Sequence, residues 1–172
     1  MVANLKLSRS GEIMTVIKID ECSVVEGSRY PSPHDEPCRN KSTLALGFAA
    51  DLTQFGVNIV RIKPGAWSSQ RHWHEHEDEF VWVLEGELVL VTDAGRESVG
   101  VGDCAGFKAG VQDGHHFINE GTVDAVLLVV GSRDDRDHGK YSDIDMRFRA
   151  GRYTGSGGYY ETKSGKTLKP SS

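Results

Sequence analysis

From Gly56 to Gly131 the chain reads as short β-type runs separated by turn residues, and this pattern constrains the fold more than any other feature. "GVNIVRIK" is followed by "PGA", "EFVWVL" by "EG" and "ELVLVT" by "DAG"; "ESVGVGD", "CAGFKAG", "HHFINEG" and "DAVLLVVG" complete the series. Glu-Gly, Asp-Ala-Gly and Gly-Asp supply the positive φ or short polar side chain that tight turns require. No window holds a helical period, whereas several alternate or stay apolar for four to eight residues, the length of a strand. Short strands at near-regular spacing predict an all-β sandwich, jelly roll or barrel.

The flanks differ. Residues 1–55 contain "EIMTVIKI", a candidate strand, and "RYPSPHDEPC", whose prolines predict an extended arm or loop. Residues 132–172 shift to polar composition, and "YYETK" and "KTL" around Ser-Gly suggest a short terminal hairpin as the alternative to a solvated tail. The expected organisation is an N-terminal arm with an edge strand (1–55), a β-barrel (56–131) and an irregular C-terminal extension (132–172). At 172 residues the chain suits one domain with a proper core.

Charge and cysteine usage exclude several function classes. A net charge of −5 without a basic stripe sets nucleic acid and anionic membranes aside. The N-terminus lacks a secretory h-region, and the longest apolar runs, such as "AVLLVV", are too short to span a bilayer, so a soluble, cytoplasmic protein is expected. Cys22, Cys38 and Cys104 form no C-x-x-C and are read as reduced thiols. By alternation Cys104 is expected near the barrel interior as a small buried hydrophobe.

The stretch "RHWHEHEDEF" is where chemistry concentrates. On extended backbone His72 and His74 face one side and Trp73 the other. A turn at "EHED" would start a strand on which Glu79, Val81 and Val83 share the inner face and Phe80, Trp82 and Leu84 the outer. Two imidazoles and a carboxylate suit zinc, iron, manganese or nickel, and a third imidazole would complete the set. His115 and His116 are the candidates, on opposite strand faces, and periodicity does not choose between them.

These residues also fall into two spaced motifs. Gly65 is followed after six residues by His72-Trp73-His74, after four more by Glu79 and after six by Gly86. Gly102 is followed after five residues by Lys108-Ala109-Gly110, then by His115 and, after three more residues, by Asn119. Together they resemble the two motifs of the cupin superfamily, in its small single-domain form, over roughly a third of the chain. The resemblance implies a double-stranded β-helix with His72, His74, Glu79 and His115 around one divalent metal ion (Fe, Mn, Zn or Ni). Lys108 departs from the family's usual proline, and the loop before His115 is two residues longer, which keeps His116 as an alternative ligand. His76, His116 and Arg71 are candidates for a supporting layer around the ligands.

Three histidines and one carboxylate leave coordination positions for water, substrate or dioxygen. The resemblance implies an enzyme acting on a small oxygen-chelating substrate, with dioxygenase or decarboxylase chemistry ahead. The alternatives are a sugar or sugar-phosphate isomerase or epimerase, and a non-catalytic small-molecule-binding barrel. Inner faces read as apolar (Val81, Val83, Phe117), and Arg61, Arg71 and Lys108 are the nearby cations. Outward Phe80 and Trp82 would leave an apolar sheet face bare, which points to a homodimer. The charges of "SRDDRD" are expected to be solvated surface.

Overall fold

The computed structural model describes residues 16–154 and 160–169. Strands dominate. In chain order they are β1 (Val24–Glu26), β2 (Lys41–Leu44), β3 (Phe55–Ile62), β4 (Glu79–Glu85), β5 (Glu87–Thr92), β6 (Gly95–Gly100) and β7 (Cys104–Phe107). There follow β8 (His116–Ile118), β9 (Ala125–Ser132), β10 (Gly139–Lys140), β11 (Arg147–Phe148) and β12 (Tyr160–Glu161). A single helical turn, α1 (Leu46–Ala49), separates β2 from β3.

Six strands pair antiparallel in the order β1-β2-β3-β9-β4-β7, and β6-β5-β8 form a second sheet opposite them. This all-β arrangement is a jelly roll. Alternation along β3, β4 and β9 turns Val60, Ile62, Val81, Val83, Ala125 and Leu127 inward, where they meet Leu88, Leu90 and Phe117 of the second sheet. Burial of these side chains, stabilising by about 1.5–3 kcal/mol for each Val, Ile, Leu or Phe, holds the two sheets together.

Turn chemistry fixes the register. Gly86, between β4 and β5, has φ 76°, and a Cβ there would stand 2.8 Å from the Asp124 carbonyl oxygen, so both its conformation and its space demand glycine. Asn119 is fully buried after β8, donating from Nδ2 to the carbonyls of Ile62 and Val123 and accepting the Gly121 N–H. It thereby fastens the end of β8 to β3.

The flanks are more structured than expected. β1 and β2 extend the large sheet, and the proline-rich stretch between them makes turns with one 3-10 turn at Glu36–Cys38. The first half of "EIMTVIKI" lies outside the described residues; Val16 to Lys18 are not in a strand, and Ile19 starts a 3-10 turn. The C-terminal extension is no solvated tail: β10, β11 and β12 form a small antiparallel sheet. The terminal hairpin turns at Gly165 and bridges Glu161 to Thr167. Tyr141, Met146 and Phe148 of the extension build a second core with Tyr30 and Cys38 of the arm, joined by Tyr160 and Leu168.

Cys104 corrects the expectation of a buried thiol. It is exposed, because its cross-strand partner is outward-facing Trp82, while Ala105 and Phe107 of the same strand turn toward the core. Phe80, Trp82 and Leu84 face outward on β4 with 42, 45 and 37% of their surface exposed. None of the helices among the described residues is long and apolar enough to cross a membrane.

Candidate metal centre

The loop between β3 and β4 carries the histidines to the barrel interior by pairing its backbone with the segment before β8. His72 N–H donates to the His115 carbonyl and His115 N–H to that of His72, at 3.2 and 2.9 Å. This two-way bridge places the two residues opposite one another, and their rings lie 5.1 Å apart. The His74 ring is 5.0 Å from that of His72. Gly110 N–H donates to the His74 carbonyl, so the turn that holds Lys108 in place of proline still anchors the histidine loop.

Ligating atoms of His72, His74 and Glu79 lie within 4.8 Å of one another. His115 joins them with Nε2 at 3.3 Å from Glu79 Oε2, and His74 Nε2 is 3.8 Å from the same oxygen. His74 and His115 therefore both present Nε2 to the Glu79 carboxylate. His72 Nδ1 donates to the Gln70 carbonyl at 2.9 Å, and His74 Nδ1 donates to Asp137 Oδ2 at 2.7 Å. With the proton held on Nδ1, Nε2 keeps its lone pair. The His115 ring lies flat on Phe107, with centroids 3.4 Å apart and planes 4° from parallel.

The electrostatics match that arrangement. Burial works to raise the Glu79 pKa, but the His115 contact and the charges of His115, His72 and His74 hold it down to about 2. Burial, reinforced by His74 and His115, pushes His72 well below its ordinary value. The group is thus three imidazoles around a half-buried carboxylate with no Lys or Arg hydrogen-bonded to it among the described residues. Three nitrogen donors and one oxygen donor fit a divalent cation, which would supply the missing countercharge.

Of the supporting candidates, none touches this group directly. His76 is exposed, its ring 5.6 Å from that of His138. His116 turns away, donating from Nδ1 to the Ser69 carbonyl with its ring against Trp67. Arg71 ties three segments together through Asp143, Asp93 and the Gly114 carbonyl. The same geometry makes His115, not His116, the member of the cluster.

The support comes instead from residues that sequence reasoning missed. Asp137 is 1% exposed, receiving His74 Nδ1–H and Arg152 on Oδ2 and the His76 N–H on Oδ1. Glu77, also buried, accepts from Arg152, Tyr153 OH and the Asp134 N–H. Arg152 neutralises both carboxylates and lies over the Phe148 ring. So "SRDDRD" is not simply solvated: its last aspartate is among the most buried polar groups of the protein. His74, Glu77 and Asp137 also cluster closely enough to hold a cation, but the Arg152 guanidinium already provides that charge.

Two cavities open beside the cluster. One, about 200 Å³, is bordered by Trp73, His74, Phe107, Lys108, Val111 and His115. The other, about 210 Å³, is bordered by Gly56, Asn58, His74, Asp78, Glu79 and Arg133. Arg61 lies elsewhere, pairing with exposed Glu85 and Asp124.

A jelly roll with histidines and a glutamate gathered inside one end defines a class of small barrels built around a ligand or metal pocket. The chain belongs to the cupin superfamily. Residues 58–131 match the Cupin domain model Cupin_2. A structure described as a sugar phosphate isomerase from a cupin superfamily, from Silicibacter pomeroyi DSS-3, is 43% identical, covering 89% of this chain and 96% of that one with a TM-score of 0.83. A putative sugar phosphate isomerase from Acidithiobacillus ferrooxidans is 32% identical over 64% of this chain and 70% of its own, TM-score 0.61. The polyketide cyclase RemF from Streptomyces resistomycificus, at 24% identity over 70% of this chain and 80% of its own, TM-score 0.57, shares the fold. No curated protein sequence matches the chain.

Proposed function

We propose that this protein is a metal-dependent cupin isomerase acting on a small sugar phosphate, with His72, His74, Glu79 and His115 as the ligands of one divalent ion. The observation that carries the reading is the gathering of His72, His74 and Glu79 ligand atoms within 4.8 Å of one another, with His115 Nε2 3.3 Å from Glu79 Oε2, beside a cavity that also holds a guanidinium. The 43% identical relative described as a sugar phosphate isomerase supports it.

A bound divalent ion would polarise a carbonyl and its neighbouring hydroxyl, easing removal of the proton between them. The chain's own groups would do the rest. Asp137 and Gln70 hold the histidine rings, and Glu77 and Arg152 hold Asp137. Asp78 borders the same cavity, and its Oδ1 accepts the Ala109 N–H while Oδ2 stays free among the described residues to take the substrate carbon's proton and return it to the adjacent carbon. A cavity of about 210 Å³ is below the roughly 300–1,000 Å³ of pockets that take drug-sized ligands, which restricts the substrate to a few carbons.

A second reading, oxidative cleavage or decarboxylation of a small chelating acid or diketone, draws on the other cavity, where Trp73, Phe107 and Val111 give an apolar wall. The test is to incubate protein reconstituted with Mn(II), Fe(II), Ni(II) or Zn(II) with aldose and ketose phosphates in D2O and follow deuterium at the carbon next to the carbonyl by NMR. Exchange and interconversion are expected. Their absence throughout, with oxygen uptake or carbon dioxide release from keto acids, would transfer the assignment to the second reading.

A further inference from the structure

We infer that Arg133, with Gly56 and Asn58, forms the subsite that takes the phosphate group of the substrate, and that the substrate therefore occupies the cavity on the Glu79 side of the cluster. The inference rests on the sugar-phosphate reading and adds which residues recognise the anion and from which side.

Arg133 follows the end of β9 and is fixed at one side of its guanidinium only. Nη1 donates to the Leu52 carbonyl, and one face lies toward the Tyr153 ring, 5.7 Å from its centroid. Nε and Nη2 have no hydrogen-bond partner among the described residues. That paired edge is the one a phosphate oxygen pair binds in parallel.

The edge looks across Gly56, the first inward position of β3. A Cβ built there would lie 3.7 Å from both Nε and Nη2 and 3.8 Å from Asn58 Nδ2, so the missing side chain keeps open the space in front of three N–H-bearing nitrogens. Asn58 is the next inward residue of β3 and carries no side-chain hydrogen bond among the described residues. His74 and Glu79 border the same cavity, so a short substrate can place its carbonyl end at the metal ligands and its phosphate at Arg133. Of the acids there, Glu77 is neutralised by Arg152 and Glu79 sits among the imidazoles, which leaves Asp78 as the uncompensated one. Lys108, in the other cavity, has Asp113 on the same wall and lacks a planar fork.

The test is calorimetric titration of inorganic phosphate into the metal-loaded wild type, Arg133→Gln, Gly56→Ala and metal-depleted His72→Ala, with KM for a sugar phosphate against its unphosphorylated sugar. The expected result is phosphate affinity at least tenfold weaker in Arg133→Gln and Gly56→Ala but kept in His72→Ala. Gly56→Ala leaves the Leu52 contact in place and so guards against Arg133→Gln failing to fold. Unchanged phosphate affinity in both variants, or binding that disappears with the metal alone, would overturn the inference. If Arg133 governs phosphate binding yet no sugar phosphate turns over, the isomerase reading falls and the subsite stands; if turnover proceeds with KM unchanged in Arg133→Gln, the subsite falls and the isomerase stands.

Discussion

A histidine that offers Nε2 to a cation must place its Nδ1 proton somewhere, and for His74 that place is Asp137. A carboxylate held by Arg152 and a backbone N–H orients the ring and fixes its tautomer. Asp137→Asn is expected to weaken metal affinity by roughly 10–100-fold while retaining the fold, measured by competition with a chromophoric chelator. Acid should act in one direction on the metal-free protein. His72 titrates below its ordinary 6.5 in the folded state, so as pH falls through 6.5 the unfolded chain takes up a proton that the folded one refuses, and stability is lost. Glu79 repeats this from 4.5 down to about 2, where the folded carboxylate at last protonates. Urea midpoints should fall steadily from pH 7 to 4, and less steeply near 6.5 in His72→Ala; a midpoint that rises in acid would refute this assignment of the buried charges.

At the scale of elements, the parity of β4 and the spacing of the two motifs carried most of the information. Glu79, Val81 and Val83 face inward as alternation requires, and the three residues between His115 and Asn119 place one in the cluster and the other in the β3 anchor. Asn119→Ala would orphan buried groups, each costing about 1–3 kcal/mol, so a thermal midpoint several degrees lower is expected by calorimetry. What stayed hidden has a physical reason. Asp137 is 63 residues from His74 and Arg152 is 75 from Glu77, and no local period or spacing links them. Charged residues in a polar segment look alike whether solvated or buried in a network. Cys104 misled because alternation alone does not say which face a strand's first residue takes, and only its pairing with Trp82 sets it.

For the whole molecule, the C-terminal extension is part of the site and not an appendage. It supplies Asp137 and Arg152, and places the Phe148 ring 5.1 Å from that of His74. The outer face of the large sheet is the complementary feature, with Phe55, Phe80, Trp82 and Leu84 all exposed. We propose that a second copy of the chain covers it, since one self-complementary apolar sheet face is what a two-fold dimer uses. Sedimentation should show a dimer for the wild type and a monomer for Trp82→Glu; a monomeric wild type would refute the proposal.

The claim on which everything turns is that His72, His74, Glu79 and His115 hold a metal ion. Elemental analysis of protein purified without a metal-affinity tag tests it most directly, with His72→Ala, His115→Ala and His76→Ala alongside. About one equivalent of iron, manganese, nickel or zinc in the wild type and His76→Ala, lost in the other two, is the expected result. A wild type that takes up no metal on reconstitution, or equal loss in all three variants, would contradict the assignment.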